Sequence, residues 1–363
     1  MNKGFKEDFL KHLSKFNEKD KELFDRIYWV QENRGELNPP REMISWIESQ
    51  FGDLEKVKNQ DFLRITDLIT YEGAIFNEIR TMRPILGESN FEVILKAIED
   101  AKDGPFSHPE IGTPEDVFGR IKGEYCMTGS NIAKYDGLHG IIISNSHDPL
   151  LLSRRRVTDY MEVAHKWFEK AHKYRSAAVY PLFTWSCLWK AGASVVHGHS
   201  QVVLAEGQAY SKVEELRALS LKYQEQYKRS YFDDVYEIHH KLNLALEKDG
   251  VKIITKITPV KEKEMMIIAP TADRNFYHVL SDVLNTMKER LGVASFNVAV
   301  IFPPLEATKE VWSHVPVIAR IVDRGKLNDK TVDVGPMELY AQSIIGSNPY
   351  TVFGEIKKSL KKD

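Results

Sequence analysis

The sequence predicts an α+β fold: two similar units of antiparallel sheet with flanking helices, preceded by a helical extension. Three observations carry this. Short β-type runs punctuated by Gly, Pro, Asn and Asp begin near Phe62 and recur to Phe302. Between them lie longer stretches with apolar residues three and four apart, the helical period. The strand, strand, helix, strand texture of the first half returns in the second, as a duplicated unit would.

Residues 1–60 place Phe5, Phe9, Leu13 and Phe16 at helical spacing and read as the helical extension. Residues 61–210 form the first unit, with strands at Ile75-Phe76, Gly140 to Ser144 and Val179 to Phe183. A helix inside Asp148 to Arg175 buries Val157, Tyr160, Met161, Ala164 and Phe168 on one face. Residues 211–363 form the second unit: helical period over Leu216 to Leu246, strands at Val251 to Ile257, Glu264 to Ile268 and Phe296 to Phe302, and a helix at Phe276 to Arg290. The first two of those strands read as a meander, which favours α+β over βαβ winding.

Of the 363 residues, 42% are apolar and 28% charged, an ordinary globular balance. The formal net charge of −2 shows no positive excess, which argues against nucleic acid and anionic membranes and for a small-molecule partner. No run approaches the roughly 18 apolar residues of a membrane span. The start, Met1 to Glu22, is charged and amphipathic rather than a secretory leader, so the expected location is the cytoplasm. Cys126 and Cys187 stand far apart with no C-x-x-C, and are expected as reduced, buried thiols.

The chemistry concentrates in Gly192 to Leu204, which reads as a small-residue loop followed by a strand. Strand alternation would set His197, His199 and Gln201 on one face and turn Val196, Val202 and Leu204 to the other. A neutral imidazole can attack phosphorus without first losing a proton. The Gln201 amide can donate to phosphoryl oxygens without adding charge, and Ser194 with the adjoining loop N–H groups can approach a phosphate. Set against this, two histidines on a strand can be core residues satisfied by carbonyls, or ligands of a metal-dependent hydrolase.

His197-Gly198-His199-Ser200-Gln201 resembles the His-x-His-x-Gln signature of the galactose-1-phosphate uridylyltransferase branch of the histidine-triad superfamily. Arg80-Thr81-Met82-Arg83-Pro84 is similar to its R-x-x-R-P nucleotide-binding segment, and Ser144 to Asp148 to its S-P-x-H segment. Trp312 to Arg320 followed by Gly335 to Gln342 resembles its last His-bearing strand and sugar-contacting loop. The resemblance spans roughly residues 65 to 345 and implies tandem histidine-triad-like half-barrels. It implies His199 as nucleophile, His197 as its support and Gln201 on the phosphoryl oxygens. Arg80, Arg83, Asn131 and Glu338 are the implied substrate contacts, Glu338 on hexose hydroxyls, with Ser186 at the position of a phosphate-placing Asn and Ser194 a further candidate from the loop reading above.

The implied substrates are a nucleotide sugar or dinucleotide with a sugar phosphate or phosphate as acceptor, handled by a homodimer. ADP-sugar or dinucleoside polyphosphate phosphorylases and hydrolases, and a non-catalytic nucleotide-binding relative, are alternatives on the same fold. Departures are visible. The C-x-x-C pair of the family's zinc site is missing, so only His147 and His197 remain of its four ligands, and zinc is not expected. Val315 and Pro316 follow His314 where the second metal site would need another histidine, and Ser186 stands where the family has Asn. Arg154-Arg155-Arg156 reads as a solvated helix start, and His139, His239 and His240 as structural.

Overall fold

Two sheets carry the fold in the computed structural model, which describes residues 4–82, 91–329 and 335–361. The smaller holds β1 (Tyr28–Glu36), β2 (Asn59–Asp67), β3 (Gly73–Phe76) and, as defined below, the last strand of the chain. The larger is assembled from β4 (Cys126–Ser130), β5 (His139–Ser144), β6 (Ala178–Cys187), β7 (His199–Glu206), β8 (Ala245–Lys248), β9 (Val251–Thr255), β10 (Met265–Ala269), β11 (Phe296–Ile301) and β12 (Val317–Asp323). The chain then returns to the small sheet as β13 (Ser343–Ile345), parallel to β3.

The nine strands run in the order β4-β5-β7-β6-β11-β12-β10-β9-β8, every neighbouring pair antiparallel. The two halves of this sheet, β4 to β7 and β8 to β12, meet edge to edge at β6 and β11, while Ile75-Phe76, expected as a strand of the first unit, pairs instead with β2 and β13 in the small sheet. Because residues paired across a ladder share a face, the register draws one row across the sheet. Ile141, Gln201, Thr184, Ala299, Arg320, Met266, Ile254 and Ala245 are successive partners along it.

The opposite face carries Ile142, Val202, Phe183, Trp185, Val298 and Ile321, a continuous apolar surface that must be covered. Helices Arg154–Tyr174, Arg274–Leu291 and Pro349–Leu360 cover it with Met161, Trp167, Leu280, Val283 and Ile356. The first two begin on side-chain caps that the sequence supplies. Ser153 accepts from Arg156 N and Asp273 from Phe276 N, and Gly292, at φ 66°, takes the left-handed position that ends the second.

On the row-bearing face the two halves differ. Over the second half, Phe24, Ile27, Tyr231, Val235 and Ile238 pack on Ile254, Met266, Ile268 and Ile318. Around the join the face is partly open: Thr184, Ser186, His199 and Gln201 are half-buried and Ala299 is exposed.

Residues 1–60 hold the expected helices, with Phe5–Leu13 and Glu18–Ile27 first, but are not helical throughout. Past Ile27 the helical period stops, and Tyr28-Trp29-Val30 opens the nine-residue β1, paired along its length with β2. Aromatic and β-branched residues favour that pleated surface. Among the described residues no helix is long and apolar enough to cross a membrane.

Candidate active site

The loop between β6 and β7 is held from the neighbouring strand. Asn297, on β11, donates to the Ser186 hydroxyl (2.9 Å) and to the Ala191 carbonyl (2.9 Å), while Arg324 donates to its side-chain oxygen (2.6 Å). Gly192 (φ 87°) then turns the chain toward the histidines. Gly198 packs close: a Cβ there would come within 3.2 Å of the Pro149 backbone and 3.4 Å of Ser144.

The strand starts at His199, not before, so strand alternation does not place His197. It sits in the loop, 4% exposed, and its orientation comes from a hydrogen bond to the Ser144 carbonyl (2.8 Å). A carbonyl only accepts, so Nε2 carries the proton. Nδ1 is then a buried acceptor with no partner among the described residues. Burial first, and the nearby His147 second, push the His197 pKa down, so the ring is neutral at pH 7.

His199 is fixed by the same logic one step further on. Its Nδ1 lies 2.8 Å from the His197 carbonyl and donates to it. The proton is thereby assigned to Nδ1, and the lone pair to Nε2. Burial also lowers the His199 pKa. Phe106 presents its ring edge-on to both imidazoles, with centroids 5.1 Å from His199 and 6.1 Å from His197. An apolar wall beside a neutral, oriented imidazole with one free nitrogen is an arrangement for nucleophilic attack.

Gln201, next on the same face, has Oε1 2.8 Å from Nε2 of His139. Asn131 comes to the same place: its N–H donates to the His139 carbonyl (3.1 Å), and its side-chain nitrogen lies 3.2 Å from His139 Nε2. The structure thus gathers His197, His199, Gln201, Asn131 and His147, with Ser186 on the same sheet face beside Asn297.

Other candidates lie elsewhere. Ser194 is exposed in the loop. Arg80 lines a depression on the small sheet with Asn33, Phe62, Arg64, Ile75, Asn77 and Ile344, none of them from the histidine-bearing sheet. Glu338, in the short helix Met337–Tyr340, is ion-paired with Lys261, and Arg83 lies outside the described residues. Arg154 forks onto Asp282 (2.7 and 2.6 Å), a bond between two helices. His239 is wholly buried, donating to the Val235 carbonyl (2.7 Å).

Phe106 is absent from the sequence candidates and His139 reads there as structural; both stand beside the candidate residues. Phe106 comes from a stretch distant in sequence with no motif of its own. His139 carried a signal only in hindsight of the register, which sets it on the same face of β5 as Gln201 on β7.

Of the zinc ligands that the sequence resemblance implies, the chain has His197, whose Nδ1 is without a partner among the described residues, and His147. Two imidazoles fall short of the four ligands a structural zinc takes. Among the described residues no group of three or more His, Cys, Asp or Glu is placed to hold a metal. Cys126 and Cys187 are free and buried, and burial raises both thiol pKa values.

No family model and no curated protein matches the chain. Solved structures do match. An ADP-glucose phosphorylase from Arabidopsis thaliana, with ADP-glucose bound, superposes with a TM-score of 0.61 at 17% identity over 81% of this chain and 97% of that one. A GalT-like protein from the same plant gives 0.57 at 15% identity, over 81% and 97%. A uridylyltransferase gives 0.56 at 14%, over 69% and 89%. At these identities the likeness is one of fold.

Proposed function

We propose that this chain, which has the histidine-triad-like fold of uridylyltransferases and ADP-glucose phosphorylase, is a ping-pong nucleotidyl transferase with His199 as the covalent carrier. The observation that carries the reading is the tautomer of His199. Nδ1 is committed to the His197 carbonyl, and Nε2 is left bare on the open part of the sheet.

A nucleoside diphosphate sugar or dinucleotide enters, and His199 Nε2 attacks its α-phosphorus. An N–P bond forms as the P–O bond to the leaving phosphate breaks, and that oxygen leaves with the electron pair. No proton has to move in this step. The ring becomes cationic as the bond forms, and the His197 carbonyl, already aimed at Nδ1–H, stabilises the charge that develops. Gln201 faces the transferring oxygens, which need donors rather than more covalent chemistry. A sugar phosphate or inorganic phosphate then takes the nucleotide and restores the imidazole.

A galactose-1-phosphate uridylyltransferase-like reaction on a UDP-sugar is the leading form. Phosphorolysis of an ADP-sugar is the second, favoured by the ADP-glucose bound in the structural relative. The reading extends to a cytoplasmic location and a homodimer, which cell fractionation and sedimentation test, and to residues 61–210 and 211–363 as the two units within each chain.

The experiment is intact-mass measurement after incubation with UDP-glucose, UDP-galactose, ADP-glucose or diadenosine tetraphosphate. The expected result is a gain of one nucleoside monophosphate with one donor, naming the base, and none in His199→Ala. A gain that persists in His199→Ala, or no gain and no transfer with any donor, overturns the reading.

A further inference from the structure

We infer that His139 is a positioning residue that sets which end of the Gln201 amide faces the transferring phosphoryl group. An amide has a donor end and an acceptor end of nearly equal size, and only the donor end helps against anionic oxygens. Something has to hold it the right way round. This inference rests on the reading of Gln201 given above.

The geometry settles the orientation in two steps. The backbone N–H of Tyr135 points at His139 Nδ1 from 3.0 Å. A backbone N–H only donates, so Nδ1 must be the bare nitrogen and Nε2 must carry the ring proton. Nε2–H then donates to the atom 2.8 Å away, which has to be the Gln201 oxygen. With its oxygen held, Gln201 turns its NH2 group the other way, toward the open face it shares with His199.

The opposite tautomer is the competing arrangement, since it would let Asn131 donate to Nε2 across 3.2 Å. It would also set two N–H groups against each other at Nδ1 and turn the Gln201 oxygen toward the phosphate. It gives up the Tyr135 bond and leaves Asn131 and the turned Gln201 amide competing for one lone pair on Nε2. The Asn131 amide cannot rotate away to relieve this, because its oxygen accepts from Ala133 N (3.0 Å). Its approach to His139 is therefore a contact between donors.

The surroundings hold the ring neutral and in place. His139 is 0% exposed, and burial is the chief cause of its lowered pKa, outweighing the Gln201 bond. The Tyr135 ring lies over it, with centroids 4.3 Å apart. Lys134 Nζ donates to the His139 carbonyl (2.8 Å) and to Ser130 (2.7 Å), and Ser130 donates to Asp116 (2.6 Å), which also accepts from Trp167 (2.7 Å). These bonds fix the segment carrying the Tyr135 N–H, and so the direction of the Gln201 amide.

Two measurements test this. Side-chain 15N spectra of the labelled full chain, with the His139 signals assigned by their loss in His139→Gln, report the tautomer whatever the protein transfers. A neutral ring protonated at Nε2 is expected; protonation at Nδ1 overturns the inference. The second is a double-mutant cycle on the rate of nucleotide transfer to His199. His139→Met, close in volume, is expected to slow transfer roughly tenfold with little change in KM, and in a Gln201→Ala background to cost under twofold. His139→Gln, which keeps a donor near the Nε2 position, is expected to recover most of the rate. Equal penalties in the two backgrounds overturn the inference, because they mean His139 acts through the fold and not through Gln201. If wild-type protein transfers nothing from any donor, the proposed function fails and the tautomer alone decides the role of His139.

Discussion

The nine-stranded sheet presents the same position twice, once on each side of the β6–β11 join, and the two halves use it differently. β7 lies outside β6 as β12 lies outside β11, and Gln201 and Arg320 occupy the same row. Rotating one half onto the other sets His199 against Ile318 and His197 against Pro316. In the first half the face is partly open, and His197 and His199 are each held through one ring nitrogen by a backbone carbonyl, so that one reactive atom of His199 is left over. In the second half the face is covered: Ile318 is 2% exposed in the core, and Arg320 is bound to Glu264 (2.6 Å) and to Glu72 (2.5 Å), which also holds Lys256 (2.7 Å). Burial alone would raise the Glu72 pKa, but those two cations outweigh it and bring it to about 2. The scaffold thus supplies a place for a polar group in each half. Leaving it uncovered makes a site, and covering it makes a clasp between the small sheet and the large one.

The largest expected effect comes from carrying the second half's residue into the first. His199→Ile, with secondary structure unchanged, should lower nucleotide transfer by about 10⁴-fold or more, measured in single-turnover assays, since the nucleophile itself is gone. Next is the clasp. Arg320→Ala strands the fully buried Glu264 carboxylate, and should cost about 3 kcal/mol in urea unfolding, the low end for a broken buried pair because Arg320 keeps 31% exposure.

Acid should strain the covered half. Burial brings the His239 pKa to about 3, against roughly 6.5 for the unfolded chain. Above pH 6.5 neither state holds the proton; below it the unfolded state gains one and the native state does not. Stability therefore falls with pH from 6.5 toward 3, by about 2 kcal/mol at pH 5 from this residue. His239→Gln should flatten that slope in a series of urea midpoints. The smallest effect is expected at the join, where Ser186→Ala loses the bond from Asn297, at about 1 kcal/mol in the same unfolding assay.

Much of this was legible in the sequence, for identifiable reasons. The helices around Met161 and Val283 follow from periodicity, because each buries one face, and the strands around Ile142 and Ile267 follow from short, continuous apolar runs that are buried on both faces. His199 and Gln201 stood out because polar residues two apart in a β-rich stretch share a face. What escaped depends on distant segments. β1 needed its partner β2 to exist as a strand, and the role of His139 needed the Tyr135 N–H and the Gln201 oxygen at once. The orientation of His197 came from the Ser144 carbonyl, an atom every residue type carries and no composition reveals.

Nucleotide transfer by this chain turns on one nitrogen, Nε2 of His199. Wild-type protein, trapped with the donor that labels it and digested under conditions that spare phosphoramidates, should yield the nucleoside monophosphate on the peptide containing His199, with fragmentation placing it on that residue and 31P spectra showing a bond to Nε2. A nucleotide found on His197, His147 or His139, or one bonded to Nδ1 of His199, would rule out His199 Nε2 as the carrier.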